Sequence, residues 1–186
     1  MFAAPENSPA GFQIATSRVL LRPWRESDAA PLAVMSADAE VMRDQGGPIS
    51  RPESDARMAR YVRIYETQGY TRWAVEARAS GLFLGYVGLV PVGPEHALGA
   101  HVEIGWRLVR QAWGVGLATE AARAALDDGF ARIGLAEVMA YTSPTNVRSQ
   151  GVMARLGLER DEARDFLATP DGEAPVKAMV WRVRRG

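Results

Sequence analysis

Between residues 110 and 126 the chain reads RQAWGVGLATEAARAAL, in which Gly114 and Gly116, one residue apart, open into an alanine-rich run. Glycine reaches positive φ without steric cost, so the pair predicts a tight turn. Ala118, Ala121, Ala122, Ala124 and Ala125 predict a helix whose small side chains let it lie close on a neighbouring sheet. The first turn of a helix carries N–H groups with no internal partner, and the aligned peptide dipoles add partial positive charge there. Glycine turn and helix start together predict a cradle for an anion. The flanking runs HVEIGWRLV (101–109) and AEVMAYT (136–142) read as strands, so the chain must build a strand, turn, helix, strand unit around that cradle.

The remaining segments supply more sheet and helix. RVLLRPW (18–24) reads as a strand, and a helix follows with Asp28 as N-cap and Pro31 in its first turn. Ser50 and Glu53 have capping-box spacing ahead of Met58, Tyr61, Val62 and Tyr65, which recur at helical intervals. TRWAVEA and LFLGYVGLVP are strand-like runs joined by Ala79, Ser80 and Gly81, a hairpin-turn composition. NVRSQGVMARL reads as a short helix closed by Gly157, and APVKAMVWRV as a terminal strand. Residues 1–15, rich in Ala and Pro, read as a flexible arm, and 16–186 as a single domain. Irregular alternation of strands and helices with early hairpins favours a mixed sheet covered on both faces.

Composition narrows the chemistry. The chain has 186 residues, 47% of them hydrophobic, enough for one full core. Basic and acidic residues balance at 22 each, which gives no net pull toward nucleic acid or an anionic membrane. There is no cysteine and there are only two histidines, so thiolate chemistry is excluded and no metal site is expected. No apolar run reaches a membrane span and the N-terminus lacks signal-peptide character, so a cytoplasmic location is the expectation. The glycine loop lacks the G-x-x-x-x-G-K-[ST] spacing of a triphosphate loop, and the sole lysine is Lys177. It also lacks a dinucleotide fingerprint, since Thr119 stands in the third glycine position and several strands precede it. The plainer alternative is a tight strand-to-helix turn with no ligand.

The spacing Gln111-x-x-Gly114-x-Gly116 matches the Q/R-x-x-G-x-G/A signature that binds coenzyme A pyrophosphate in the GNAT superfamily of N-acetyltransferases. With VEIGWRL before it, GLATEAARAAL after it, SPTNVRSQGVMARLGLE one strand later and WAVEARASGLFLGYVGLV upstream, residues 18–184 resemble the RimJ/RimL-like, ribosomal-protein N-terminal acetyltransferase branch. The resemblance implies the α/β (α+β) GNAT acyl-CoA N-acyltransferase fold, a mixed sheet of about six to seven strands with helices on both faces. It implies an acetyl-CoA-dependent enzyme passing acetyl directly to a primary amine: a protein N-terminus, a polyamine, an amino acid or an aminoglycoside. A non-catalytic acyl-CoA sensor of the same fold is the rival. A homodimer through the late strands is left open, because edge strands invite pairing.

The resemblance also assigns residues. Gln111, Gly114, Val115, Gly116, Leu117, Ala118 and Thr119 would cradle the pyrophosphate, with Arg110, Arg123 or Arg148 reaching the remaining phosphate. Backbone of Trp106, Leu108 and Val109 would pair with the pantetheine arm, Gly105 would mark a bulge opening the splay between two strands, and Asn146 would hold a cofactor amide. Glu103 is the expected general base, acting through a water, against the alternative of a salt-bridged strand glutamate. Ser149 is the expected partner of the cofactor sulfur. The family's frequent tyrosine, seven residues after Asn146, is here Met153, with Tyr141 a less favoured stand-in. His101 lies on the same strand face as Glu103. Trp24, Met35, Tyr65, Trp73 and Trp106 either line an acceptor pocket or fill the core, and Glu95 sits in a loop where it could meet a cationic amine.

Overall fold

The structure, a computed structural model, describes residues 12–168 and 175–186. Five strands run antiparallel to their neighbours in chain order: β1 (Ile14–Ala15), β2 (Val19–Arg22), β3 (Arg72–Ala77), β4 (Phe83–Val92) and β5 (His101–Leu108). The excursion between β2 and β3 carries α1 (Ala29–Ser36), α2 (Ala39–Met42) and α3 (Arg51–Gln68). After β5 come α4 (Leu117–Ala131), β6 (Glu137–Thr142), α5 (Val147–Leu156), β7 (Glu159–Arg160), β8 (Phe166–Ala168) and β9 (Val176–Arg184). The spatial order is β1-β2-β3-β4-β5-β6-β9-β7, with β8 on β9. The described residues form nine strands where about six to seven are expected, because β1, β7 and β8 are only two or three residues long and too short to show a period.

Helices cover both faces. On one, Ala121, Ala122, Ala125 and Leu126 of α4 and Met153 and Leu156 of α5 pack on Val87, Leu89, Ile104 and Val138. On the other, Leu32, Met35, Val41 and Tyr61 from α1–α3 pack on Tyr86 and Val90. The α3 capping box forms as expected, and Gly69 ends the helix in the left-handed region. Asp28 precedes α1 but does not cap it; its carboxylate takes both terminal nitrogens of Arg22 at 2.7 and 2.8 Å and the Arg25 N–H. Burial of that arginine explains the change, since a buried guanidinium needs a carboxylate more than a helix start needs a cap.

The expected arm of residues 1–15 is corrected at its end: Ile14 and Ala15 pair with β2, and Phe12 lies against Trp73 and under the Arg132 guanidinium. Residues 1–11 lie outside the described residues. Among the described residues no helix is long and apolar enough to cross a membrane.

Candidate active site

The one parallel junction of the sheet organises the site. β5 and β6 share a single registered pair, Glu103 with Met139, while β6 stays paired with β9 along its whole length. Past Glu103 the two strands part, and the β5 edge facing β6 has no strand partner among the described residues. Backbone direction alternates along a strand. The Val109 N–H donates to Leu84 O at 2.9 Å and its carbonyl accepts from Ala112, so Val109, expected to pair with pantetheine, has both backbone groups occupied. By alternation Trp106 and Leu108 face the gap. The Leu108 carbonyl accepts from the Trp113 indole at 2.8 Å, which leaves the Leu108 N–H and the Trp106 backbone for a ligand.

Gly105 does not mark a bulge, because the β4–β5 register runs unbroken past it. Its glycine has another cause: a Cβ there would stand 2.5 Å from Arg72 Nη2. Arg72 starts on β3, opposite Gly88 of β4, and crosses Gly105 to reach Glu103 Oε1 at 2.6 Å. Gly105 thus clears a path for one buried side chain, while its cross-strand partner Gly88 makes room for the β3 backbone, where a Cβ would run into Thr71 O.

The glycine loop leaves β5 through a 3₁₀ turn, Arg110–Ala112, which contains Gln111. Gly114 and Gly116 have φ of +77° and +84°, values that L side chains rarely adopt. Gly116 caps α4 with no side-chain hydrogen bond, so the N–H groups at Leu117, Ala118 and Thr119 start the helix without a protein side-chain acceptor. A Cβ on Gly114 would meet nothing within 4 Å, and one on Gly116 only Arg18 Nη2 at 3.6 Å. The loop is open outward, as a pyrophosphate cradle requires.

Arg18 is the residue that sequence reasoning missed here. Its Nη1 donates to the Val115 carbonyl at 2.8 Å and its Nε to Glu120 at 2.6 Å, with half the side chain exposed beside the loop. Burial would raise the Glu120 carboxyl; hydrogen bonds from Thr16, the Arg18 N–H and side chain, and Ser17 outweigh it and hold the group at about 2. No local pattern links residues 18 and 115. Of the arginines expected at the last phosphate, Arg110 pairs with Glu40, and Arg148 stacks 4.6 Å from the Trp113 ring centroid beside the loop. Arg123 instead donates to Arg155 O, at the far end of α5.

Asn146 caps α5, its Oδ1 accepting from the Ser149 N–H at 3.1 Å, so the amide donors stay available. Ser149 is thereby set in the first turn of α5. Met153 is 2% exposed and packs in the α4-side core, away from any acid role. Among the expected pocket residues, Trp73 and Met35 are buried core, Tyr65 packs edge-on against Trp73, and the Trp24 indole donates to Arg72 O. Glu95 folds back over Gly93.

Glu103 faces the α1–α3 side of the sheet, opposite α4. Its Oε1 accepts from Arg72 and its Oε2 from the Tyr141 hydroxyl at 3.1 Å, so the salt-bridged reading of this glutamate is correct as geometry. Burial, the Glu103 charge and that hydrogen bond push the Tyr141 phenol far up. Tyr141 therefore keeps its proton and orients the carboxylate. His96, His101 and Phe166 ring Tyr141 at centroid distances of 5.3, 6.0 and 5.4 Å. His101 Nδ1 lies 2.8 Å from the Gly99 carbonyl and so donates, and Nε2 is buried with no partner among the described residues.

Comparison with known proteins agrees with this geometry. The profile of the acetyltransferase (GNAT) domain matches residues 18–159. The chain is 31% identical over 147 residues to the uncharacterized protein YkkB of Bacillus subtilis, covering 78% of this chain and 84% of that one. An acetyltransferase structure from Agrobacterium tumefaciens superposes with a TM-score of 0.77 at 25% identity, covering 100% and 97% of the two chains. The ribosomal L7/L12 α-N-protein acetyltransferase RimL, solved with coenzyme A, shares the fold with a TM-score of 0.74 at 14% identity, over 93% and 98%. An open glycine turn at an uncapped helix, the parted strands beside it and a family match across most of the chain lead to one conclusion: this protein belongs to the GNAT family of acetyltransferases, enzymes that take their acetyl group from acetyl-CoA.

Proposed function

We propose that this acetyltransferase transfers acetyl directly to a primary amine, and that the amine approaches from the α1–α3 face to meet the acyl group at the β5–β6 gap. The observation that carries the reading is the position of Glu103, a carboxylate held by Arg72 and Tyr141 at the point where the two strands part. When bound, acetyl-CoA supplies an activated acyl group as its thioester. The N–H groups of Val115, Gly116, Leu117, Ala118 and Thr119 hold the pyrophosphate, with Arg18 adding charge at the loop. The Leu108 N–H and the Trp106 backbone bind the pantetheine arm as an added strand, and an N–H of this edge polarises the acyl carbonyl.

Glu103 accepts the proton that the attacking amine sheds, through a water, on a lone pair not engaged by Arg72 or Tyr141. A lysine-type amine, with a pKa of about 10.4, depends on such a base more than an α-amine of about 8. Ser149 provides a hydroxyl for the departing sulfur and Asn146 its amide donors for the cofactor. The burial of Met153, at the position where the family resemblance leads one to expect tyrosine, favours one rival: a protein of this fold that binds acyl-CoA without turnover.

One experiment separates the two. The protein is incubated with acetyl-CoA and N-terminal peptides, amino acids, polyamines or aminoglycosides, and free thiol is followed against an acceptor-free control. Acceptor-dependent release supports the transferase; saturable acetyl-CoA binding with no release from any amine supports the sensor.

A further inference from the structure

The α1–α3 face around Glu103 is strongly basic. Arg72 and Arg107 come from the sheet and Arg57 and Arg60 from α3. Tyr86 and Arg107 are direct cross-strand partners, so their side chains leave the same face, the one that Arg72 crosses. Arg57 lies one helical turn before Tyr61, whose ring packs on Tyr86 at 5.3 Å between centroids. The Arg60 charge reaches Tyr141. Glu103 is the only carboxylate ion-paired with any of these four guanidiniums among the described residues, and it pairs with Arg72. Of the neighbouring acids, Glu40 is engaged by Arg110 and Arg148, and Glu53 by Ser50 in the α3 cap with the Arg57 charge one turn on; Arg57 itself donates to Gln45 at 3.4 Å.

Buried polar atoms on this face lack partners in a consistent way. Arg72 Nε and Arg107 Nε are both buried and hydrogen-bonded to nothing among the described residues, although Arg107 Nη1 donates to the Val41 carbonyl and the Tyr86 hydroxyl shares a hydrogen bond with Tyr61. Both Nε atoms are donors. Burial would raise the Tyr86 phenol, yet the charges of Arg107, Arg72 and Arg57 outweigh it and bring the group below its ordinary value. An unmet donor in a protein interior is costly, and so is excess buried charge, unless a ligand supplies the acceptor.

We infer that the acceptor amine carries a carboxylate a few bonds from its reacting nitrogen, which Arg57, Arg60 and Arg107 receive while the nitrogen lies toward Glu103. The inference rests on the amine-transfer reading above and adds the chemical class of the acceptor. A polyamine or an aminoglycoside brings only positive charge to this face and is disfavoured. The carboxylate belongs either to a free amino acid or to an acidic side chain early in a peptide.

The test compares amines matched except for charge. α-, β- and γ-amino acids are each assayed by thiol release against their own amides, alongside short peptides with glutamate or lysine at the second position and putrescine. Calorimetric binding of the same amines to the coenzyme A-loaded protein is measured in parallel. The expected result is a carboxylate-over-amide preference in kcat/KM of about 10-fold or more, the size of one charge-assisted contact. In Arg57→Gln/Arg60→Gln that preference falls toward one, with kcat for the amide unchanged and thermal unfolding confirming the fold. Preference among amino acids identifies a free amino acid, and preference confined to glutamate peptides identifies a peptide. Turnover with no charge preference, or a preference that survives the double substitution, overturns the inference and leaves the transferase standing. Selective carboxylate binding without turnover of any amine overturns the transferase reading and leaves only a carboxylate-binding site on this face, and absence of both turnover and selective binding overturns both.

Discussion

Glu103 has little freedom to swing, because Arg72 and Tyr141 hold its two oxygens and Arg72 is itself wedged over Gly105. A base so held stays aimed. Glu103→Gln should lower kcat/KM by about 10²- to 10⁴-fold, the range for a positioned proton acceptor. Acetyl-CoA affinity by calorimetry should stay the same. The deficit should shrink as pH rises toward the amine's own pKa, where solution removes the proton; an equal deficit at every pH would leave Glu103 a structural role only. Gly105→Val tests the support behind it. The new Cβ would sit 2.5 Å from Arg72 Nη2 and 2.8 Å from Cζ, forcing the guanidinium off Glu103. Overpacking of this kind costs about 1–3 kcal/mol, and activity should fall nearly as far as in Glu103→Gln. Chemical denaturation and steady-state kinetics measure the two effects, and full activity would separate Arg72 from the catalytic geometry. Sequence showed Glu103 as a candidate but not its holder. Arg72 lies 31 residues away on another strand, and only strand pairing places one over the other.

At the scale of elements, the start of α4 is held from outside rather than by its own cap. Glu120 in its first turn gathers Thr16, Ser17 and Arg18 from the segment joining β1 to β2, and Arg18 turns back to the Val115 carbonyl in the loop. The folded Glu120 carboxyl, at about 2, lies below the roughly 4.3 of an unfolded chain. Its contribution is therefore full above the unfolded value and is lost as pH falls through the folded one. Glu120→Gln should be less stable than the parent at pH 7, and the gap should close between about pH 4.3 and 2; urea melts across that window check it. A constant gap would mean that shape, not charge, links β2 to α4. The α3 cap and the hairpin between β3 and β4 were legible because their signals are local: Ser50 with Glu53, and a small-residue turn between alternating runs. The short strands and the role of Asp28 were not, since both depend on partners distant in the chain or on burial.

Across the whole molecule, α4 and α5 cover one face of the sheet and α1–α3 the other, and the proposed function puts the two substrates on opposite sides of the β5–β6 gap. Acetyl-CoA at 100 times its Kd should stabilise the fold by about 2.7 kcal/mol, a rise of roughly 5–10 °C in Tm for a chain of this size. Gly116→Val places a branched side chain where φ is +84°, at the cradle itself. It should lower the ligand-free Tm by a few degrees and remove most of the ligand-induced rise; thermal scans with and without acetyl-CoA decide this, and a full rise in the variant would move the phosphates elsewhere. Sequence by itself determined the glycine turn, the alanine helix, the main strands and the family, because each is written in contiguous residues through backbone preference and periodicity. The tertiary structure alone decided that β5 and β6 part after one pair, that Val109 has no free backbone group, that Arg18 reaches the loop and that Arg72 and Tyr141 hold Glu103. Those features depend on which distant strands and helices become neighbours, and burial then determines which charges and hydrogen-bonding groups find partners.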